Sequence, residues 1–171
     1  MLRVDLRAVE RGPVEVAGTV AADDPVLADT GLRLCGPIRV GGRMTAAGVG
    51  QFFWRGQCSV SLEMSCRRCL STVRRTVAVP IEVLLTDRDD ADDPSAYPLP
   101  DRAEILDLRP MVREEVLVAV PPFILCRDDC RGLCDGCGVD LNRGSCECTP
   151  VPDGRWAALE ALKAELEGRE G

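Results

Sequence analysis

The chain has 171 residues, enough to bury one aliphatic core without obligatory cross-links. Twenty-one Lys and Arg against 28 acids give a net charge of −7, which excludes a protein that coats nucleic acid with its whole surface and confines any such contact to a local patch. Histidine is absent, removing the commonest general acid–base and catalytic-metal designs, and no stretch approaches the roughly eighteen to twenty apolar residues of a membrane span.

The opening "MLRVDLRAVERG" carries charges every few positions and no apolar h-region, so no secretory leader and a cytoplasmic location are expected. Within it "LRVDL" alternates Leu2, Val4 and Leu6 against Arg3 and Asp5, the period of a half-buried strand, and "PVEVAGTVAA" continues in that manner. Asp24-Pro25, Gly31, Gly36-Pro37 and Gly41-Gly42 then punctuate short Val, Leu and Ile runs, predicting an antiparallel meander. In residues 56–85, Cys58, Val60, Leu62 and Met64 share one face, as do Val73, Val77, Val79, Ile81, Val83 and Leu85. Two long strands therefore flank Cys66-Arg67-Arg68-Cys69, a hairpin with C-x-x-C at its tip, and Pro80 puts the second strand at an edge or a bulge.

Asp87, Asp89, Asp90, Asp92, Asp93, Asp101, Glu104 and Asp107 lie in a stretch with three prolines, read as a solvated acidic loop. It lacks the ligand alternation and turn glycine of a calcium loop. A helix is expected near 108–120, with Asp107 as cap, Pro110 in its first turn, Pro121 after its end, and Met111, Val112, Val116, Ala119 and Val120 as a core-facing stripe. A second helix should run from Asp153 to about Gly168, with Trp156, Leu159, Leu162 and Leu166 on one face, expected to pack within the chain rather than on a partner. The fold class read from these elements is α+β: mostly antiparallel sheet or a partly open barrel, two helices and a C-terminal cysteine-rich zinc module. The domain division is 1–125 and 126–171.

Ten cysteines dominate the chemistry. Cys35 and Cys58 are solitary and expected to be buried as small hydrophobes. The other eight form four pairs: Cys66/Cys69, Cys126/Cys130, Cys134/Cys137 and Cys146/Cys148. In a reducing compartment four close pairs point to two tetrathiolate zinc sites rather than disulfides, since C-x2-C lets two thiolates in a tight turn reach one ion. Gly136 and Gly138 ease amides towards the sulfurs. The preferred grouping is Cys134, Cys137, Cys146 and Cys148, leaving Cys66, Cys69, Cys126 and Cys130 as a clasp on the hairpin tip. Joining Cys66, Cys69, Cys134 and Cys137 is the alternative, and a single ion with spare thiols is a third arrangement. Complete thiolate sets leave no open coordination position, so the metal is expected to be structural. No P-loop, G-x-G-x-x-G or G-x-S-x-G is present, and no enzyme is expected.

The motifs "CRRC", "DLRPMVREEVLVAVP", "CRDDCRGLCDGCGVDLNRGSCEC" and "DGRWAALEAL" resemble the YceD family of large ribosomal RNA subunit accumulation proteins, from about Gly56 to Leu162 and more loosely before it. Gly154 stands where the family pattern has Pro, a departure expected to soften the helix start. The resemblance implies a non-enzymatic cytoplasmic factor for accumulation of large-subunit (23S) rRNA and ribosome assembly. Its implied partners are that rRNA or the pre-ribosomal particle and ribosomal proteins, with no membrane and no small-molecule substrate. It also implies that the first C-x-x-C is more general than the later cysteines. The tip "CRRCLSTVRR" carries Arg67, Arg68, Arg74 and Arg75 with no acid in ten residues, making these the RNA-binding candidates. The competing reading pairs them with Glu63 or Glu82. Two other classes stand beside the assembly factor: a thiol-redox or zinc-linked redox sensor, and an acidic adaptor for a basic partner.

Overall fold

The computed structural model describes residues 2–87, 96–100, 103–149, 154–156, 159, 162, 163 and 166. The chain divides into two compact units, one of Met1–Cys66 and Ser71–Cys126, the other of Arg67–Leu70 and Arg127–Gly171.

The first unit is built on an open, mostly antiparallel sheet. Strands β2 (Val14–Val20), β4 (Ile38–Gly48), β5 (Gln51–Ser65), β6 (Thr72–Thr86) and β7 (Tyr97–Pro98) lie in the order β2-β4-β5-β6-β7, with the short β3 (Arg33–Leu34) on the far end of β5. Strands β5 and β6 are the long hairpin expected from the alternation, in unbroken register from Gln51↔Thr86 to Ser65↔Thr72. Period two sends Phe52, Trp54, Cys58, Val60 and Leu62 of β5 and Val79, Ile81, Val83 and Leu85 of β6 into the core. The opposite face is wet and carries ion pairs between residues directly across the ladder: Arg43–Glu15 at 2.6 Å, Arg55–Glu82 at 2.7 Å and Arg74–Glu63 at 3.2 Å. Pro80 faces Gln57 on β5, and among the described residues β7 pairs with Leu85 and Thr86 alone, so no described strand flanks Pro80 on that side. Gly42 and Gly56 oppose each other where β4 and β5 approach closely; a Cβ on Gly42 would lie 2.6 Å from the Gly56 Cα.

The apolar face is covered by helix α2 (Arg109–Ala119), which packs on β6 through buried Met111, Val112 and Val116. Helix α1 (Leu6–Arg11) contacts β4, and a two-stranded ribbon of β1 (Arg3–Asp5) and β8 (Ile105–Asp107) contributes Val4 and Leu106 to the same core. Pro110 sits in the first turn of α2, as expected, but the cap position falls on Leu108. Asp107 stands one residue earlier and accepts the Arg109 N–H at 3.0 Å.

Four expectations are corrected. Leu6 does not finish a strand: Asp5 Oδ1 accepts the Arg7 N–H at 2.9 Å, and this cap turns the next residues into α1, burying Leu6 and Val9. The acidic stretch is not all solvated loop, because its described residues include β7, parallel to β6, and β8, antiparallel to β1. Residues Asp89, Asp90, Asp92, Asp93 and Asp101 lie outside the described ones. Cys58 is buried as expected but Cys35 is exposed: it follows the short edge strand β3, tied by its N–H to the Ser61 carbonyl at 2.7 Å. Finally, Trp156, Leu159, Leu162 and Leu166 are each at least half exposed, between 50% and 58%, so the expected burial of this stripe within the chain is not found. Gly154 opens a 3-10 turn to Trp156; Asp153 and much of the following segment lie outside the described residues.

Candidate metal centres and the arginine-bearing turn

The β5–β6 hairpin closes through the Cys66 N–H, which donates to the Ser71 carbonyl at 2.8 Å, and Leu70 takes the left-handed conformation at φ 59°. Cys66 also bridges to Ile124, bringing the chain just before Cys126 beside it. The Sγ atoms of Cys66, Cys69, Cys126 and Cys130 all lie within 4.8 Å of one another. Cys66, Cys69 and Cys130 are buried and Cys126 is exposed.

Around Cys130 the polypeptide is held by Asn142. Its Oδ1 accepts from the Arg131 N–H and from Arg127 Nη2, both at 2.8 Å, while Nδ2 reaches the Cys130 Sγ at 3.5 Å and Asp140 Oδ1 at 2.7 Å. A side-chain N–H directed at a sulfur helps fix where that sulfur points, the part an outer-shell group plays around a metal ligand. Asp140 accepts the Asn142 N–H as well, and the bonds from Asn142 lower its pKa. Neither residue was singled out from the sequence, although both stand in the "C-G-V-D-L-N" run that carried the resemblance.

The second thiol set is Cys134, Cys137, Cys146 and Cys148, again within 4.8 Å of one another and half-buried to exposed. A small hairpin presents it: Leu133 bridges to Asp140, the Cys134 N–H donates to Val139 at 2.9 Å, and the Gly138 N–H returns to the Cys134 carbonyl at 2.8 Å. Gly138 turns at φ 73°, and the Gly136 N–H points at Cys134 Sγ across 3.4 Å. The N–H of Cys137 first, then the Cys146 thiol and the Gly136 N–H, draw the Cys134 pKa down to about 6. Cys148 is pushed up to about 12 because its thiol bonds to Cys137 and Cys134, and Cys146 is raised by its bond to Cys134. Four thiols this close could supply the donor set of a tetrahedral ion, whose sulfurs at ~2.3 Å from zinc would stand about 3.8 Å apart. The 4.8 Å limit of both sets is compatible with that spacing, and they are the two sets preferred from the sequence.

The four candidate arginines do not stay together. Arg67 and Arg68 line a cavity of about 700 Å3 with Arg131, beside Cys134, Cys146 and Cys148. Arg68 is engaged there, donating from Nη1 to the carbonyls of Cys130 at 2.9 Å and Asp128 at 3.3 Å. Arg74 pairs with Glu63, and Arg75 donates to the Leu125 carbonyl at 3.4 Å. Sequence reasoning missed Arg131, since it stopped at the hairpin tip; its signal was the place between Cys130 and Cys134.

A family model described as large ribosomal RNA subunit accumulation protein YceD matches residues 54–163. Proteins of Mycobacterium bovis and of two strains of Mycobacterium tuberculosis, each described as uncharacterized, are 35% identical over 112 residues, covering 62% of this chain and 53% of theirs. The chain thus spans about half the length of the curated relatives it matches. No solved structure matches.

Proposed function

As the chain belongs to the YceD family of large ribosomal RNA subunit accumulation proteins, a name that implies a role in accumulating that RNA, we propose that it is a non-enzymatic cytoplasmic factor acting in assembly of the large ribosomal subunit. In this reading two zinc ions are held, one by Cys66, Cys69, Cys126 and Cys130, the other by Cys134, Cys137, Cys146 and Cys148. When bound, the metal supplies cross-links that fix short turns. The carrying observation is the convergence of eight thiols in two sets around the turn that bears Arg67 and Arg68. Rigid turns let guanidinium groups meet phosphate oxygens at little ordering cost. The partners are large-subunit rRNA or its precursor particle and ribosomal proteins. Arg67 is the contact candidate chosen for the test because it lines the cavity beside the second thiol set together with Arg68 and Arg131. The test is co-sedimentation of tagged protein with ribosomal precursors. Wild type is expected in precursor fractions of the large subunit, and Arg67→Glu is expected to leave them; a wild-type protein found only at the top of the gradient would refute the reading.

A second reading, an adaptor for a basic protein, is favoured by the exposed stripe of Trp156, Leu159, Leu162 and Leu166. On that reading a Leu159→Glu, Leu162→Glu double variant loses the particle, while Arg67→Glu keeps it.

A further inference from the structure

The cavity in the second unit is walled by groups of two kinds. Arg67, Arg68 and Arg131 supply three positive charges, Leu133 and Leu141 supply apolar surface, and Asp135 is an acid in the lining. Its walls are pinned: the Leu133 N–H bonds the Arg68 carbonyl at 3.1 Å, the Leu141 N–H bonds the Gly132 carbonyl at 2.9 Å, and Asn142 holds the Arg131 N–H. Such a wall loses little freedom when a ligand enters.

The charge balance narrows what that ligand is. A tetrathiolate zinc site carries two net negative charges, so the loaded second site and Asp135 together offset the three arginines. The pocket does not concentrate anions by its field alone, and its occupant must also use the leucines and the flat faces of the guanidinium groups. At about 700 Å3 the space is far larger than one phosphate group needs and is of the size that takes a small organic ligand. A phosphate on the ridge of an A-form duplex would bring no base into it, whereas an unstacked nucleotide brings a base to stack and a phosphodiester to bind. We propose that this cavity receives one unstacked nucleotide of single-stranded RNA. The proposal rests on the reading that the chain serves ribosomal RNA, and it names the structural class of RNA recognised.

The test uses the zinc-loaded full chain and a labelled short oligouridine containing 4-thiouridine, compared with the same strand annealed to oligoadenosine. The single strand is expected to bind about tenfold tighter than the duplex. Arg67→Ala and Arg131→Ala are each expected to weaken the single strand about tenfold, with zinc content unchanged. Because only about one phosphate is neutralised, the slope of log affinity against log salt should be about −0.7. Photocrosslinks from the wild-type protein should fall within 67–68 and 131–149, a readout that stands even if Arg131→Ala fails to fold. Equal affinity for duplex, crosslinks wholly outside those residues, or a folded Arg131→Ala variant binding within about twofold of wild type would overturn the pocket. If the pocket fails but the wild type still co-sediments with precursors, the assembly reading stands. If co-sedimentation fails, that reading falls whatever the oligonucleotide does.

Discussion

Arg109 joins three parts of the first unit. Its Nη2 meets Asp107 at 2.6 Å and its Nη1 meets Asp24 at 3.0 Å, and Asp24 also takes the N–H of Val26 at 3.0 Å. The guanidinium hydrogen bond is the main cause that lowers the Asp107 pKa in the folded chain, and the two carboxylates raise that of Arg109. A depressed carboxylate pKa adds stability that is complete above the ordinary Asp value near ~3.9 and is lost as pH falls through it towards the native value. Urea midpoints measured from pH 7 to pH 3 should therefore fall more steeply for wild type than for Asp107→Asn; equal slopes would remove this pair from the acid response. Gly132 gives a second residue-level case. It turns at φ 78°, and an added Cβ would lie 3.1 Å from the Arg68 carbonyl oxygen. Gly132→Ala is expected to cost about 1–3 kcal/mol, read as a lower chelator concentration at half loss of zinc, while Gly144→Ala, which has open space, should change little. The cysteine sets were legible because spacing limits how thiols can share an ion. The duties of Arg68 and Asn142 were not, since both are defined by carbonyl and sulfur atoms that only the folded turn brings near.

At the scale of elements, the β5–β6 hairpin divides its energy unequally between faces. Ile81 is fully buried on the inner face, whereas Arg55 and Glu82 pair on the outer face with side chains more than half exposed. Ile81→Ala should cost about 2–5 kcal/mol, through lost transfer energy and the cavity left behind. Arg55→Ala should cost under about 1 kcal/mol, since an exposed pair is screened and pays side-chain entropy. Thermal denaturation of the two variants at one pH checks the ordering, and an Arg55→Ala loss equal to that of Ile81→Ala would contradict it. This hairpin was readable because fifteen consecutive ladder positions keep one period, with turn residues between the strands. Helix α1 was not, because Leu2, Val4 and Leu6 satisfy the strand period while Leu6 and Val9 satisfy the helical one, and the Asp5 cap decides between them. Strands β7 and β8 escaped for another reason: two or three residues are too short to show a period, and β8 pairs with β1 near the start of the chain.

Across the whole molecule, the apolar core belongs to the first unit: among the described residues every member of the buried cluster, from Leu2 to Val116, lies there. In the second unit the buried apolar side chains among the described residues are those of Cys69 and Cys130, both thiols. So little hydrophobic burial offsets only a small part of the entropy of ordering a backbone, and on the proposed reading metal makes up the difference, since binding to a structural tetrathiolate site supplies about 10–16 kcal/mol. Metal removal should therefore act unevenly. After chelation, verified by elemental analysis, amides in 127–149 should lose protection from hydrogen exchange while those of β5 and β6 keep it, and added zinc should restore the first set. Alkylation gives a second count. Burial, aided by the charge of Glu115, pushes the Cys58 thiol up to about 11, so at neutral pH it holds about one part in ten thousand as thiolate. Of the ten cysteines the chelated protein should take up nine labels, Cys35 and the eight paired thiols, and the tenth only when denaturant opens the first unit. Retained protection throughout 127–149 in demonstrably metal-free protein would refute metal as the source of order there and leave it to the hydrogen bonds of Asn142, Leu133 and Leu141.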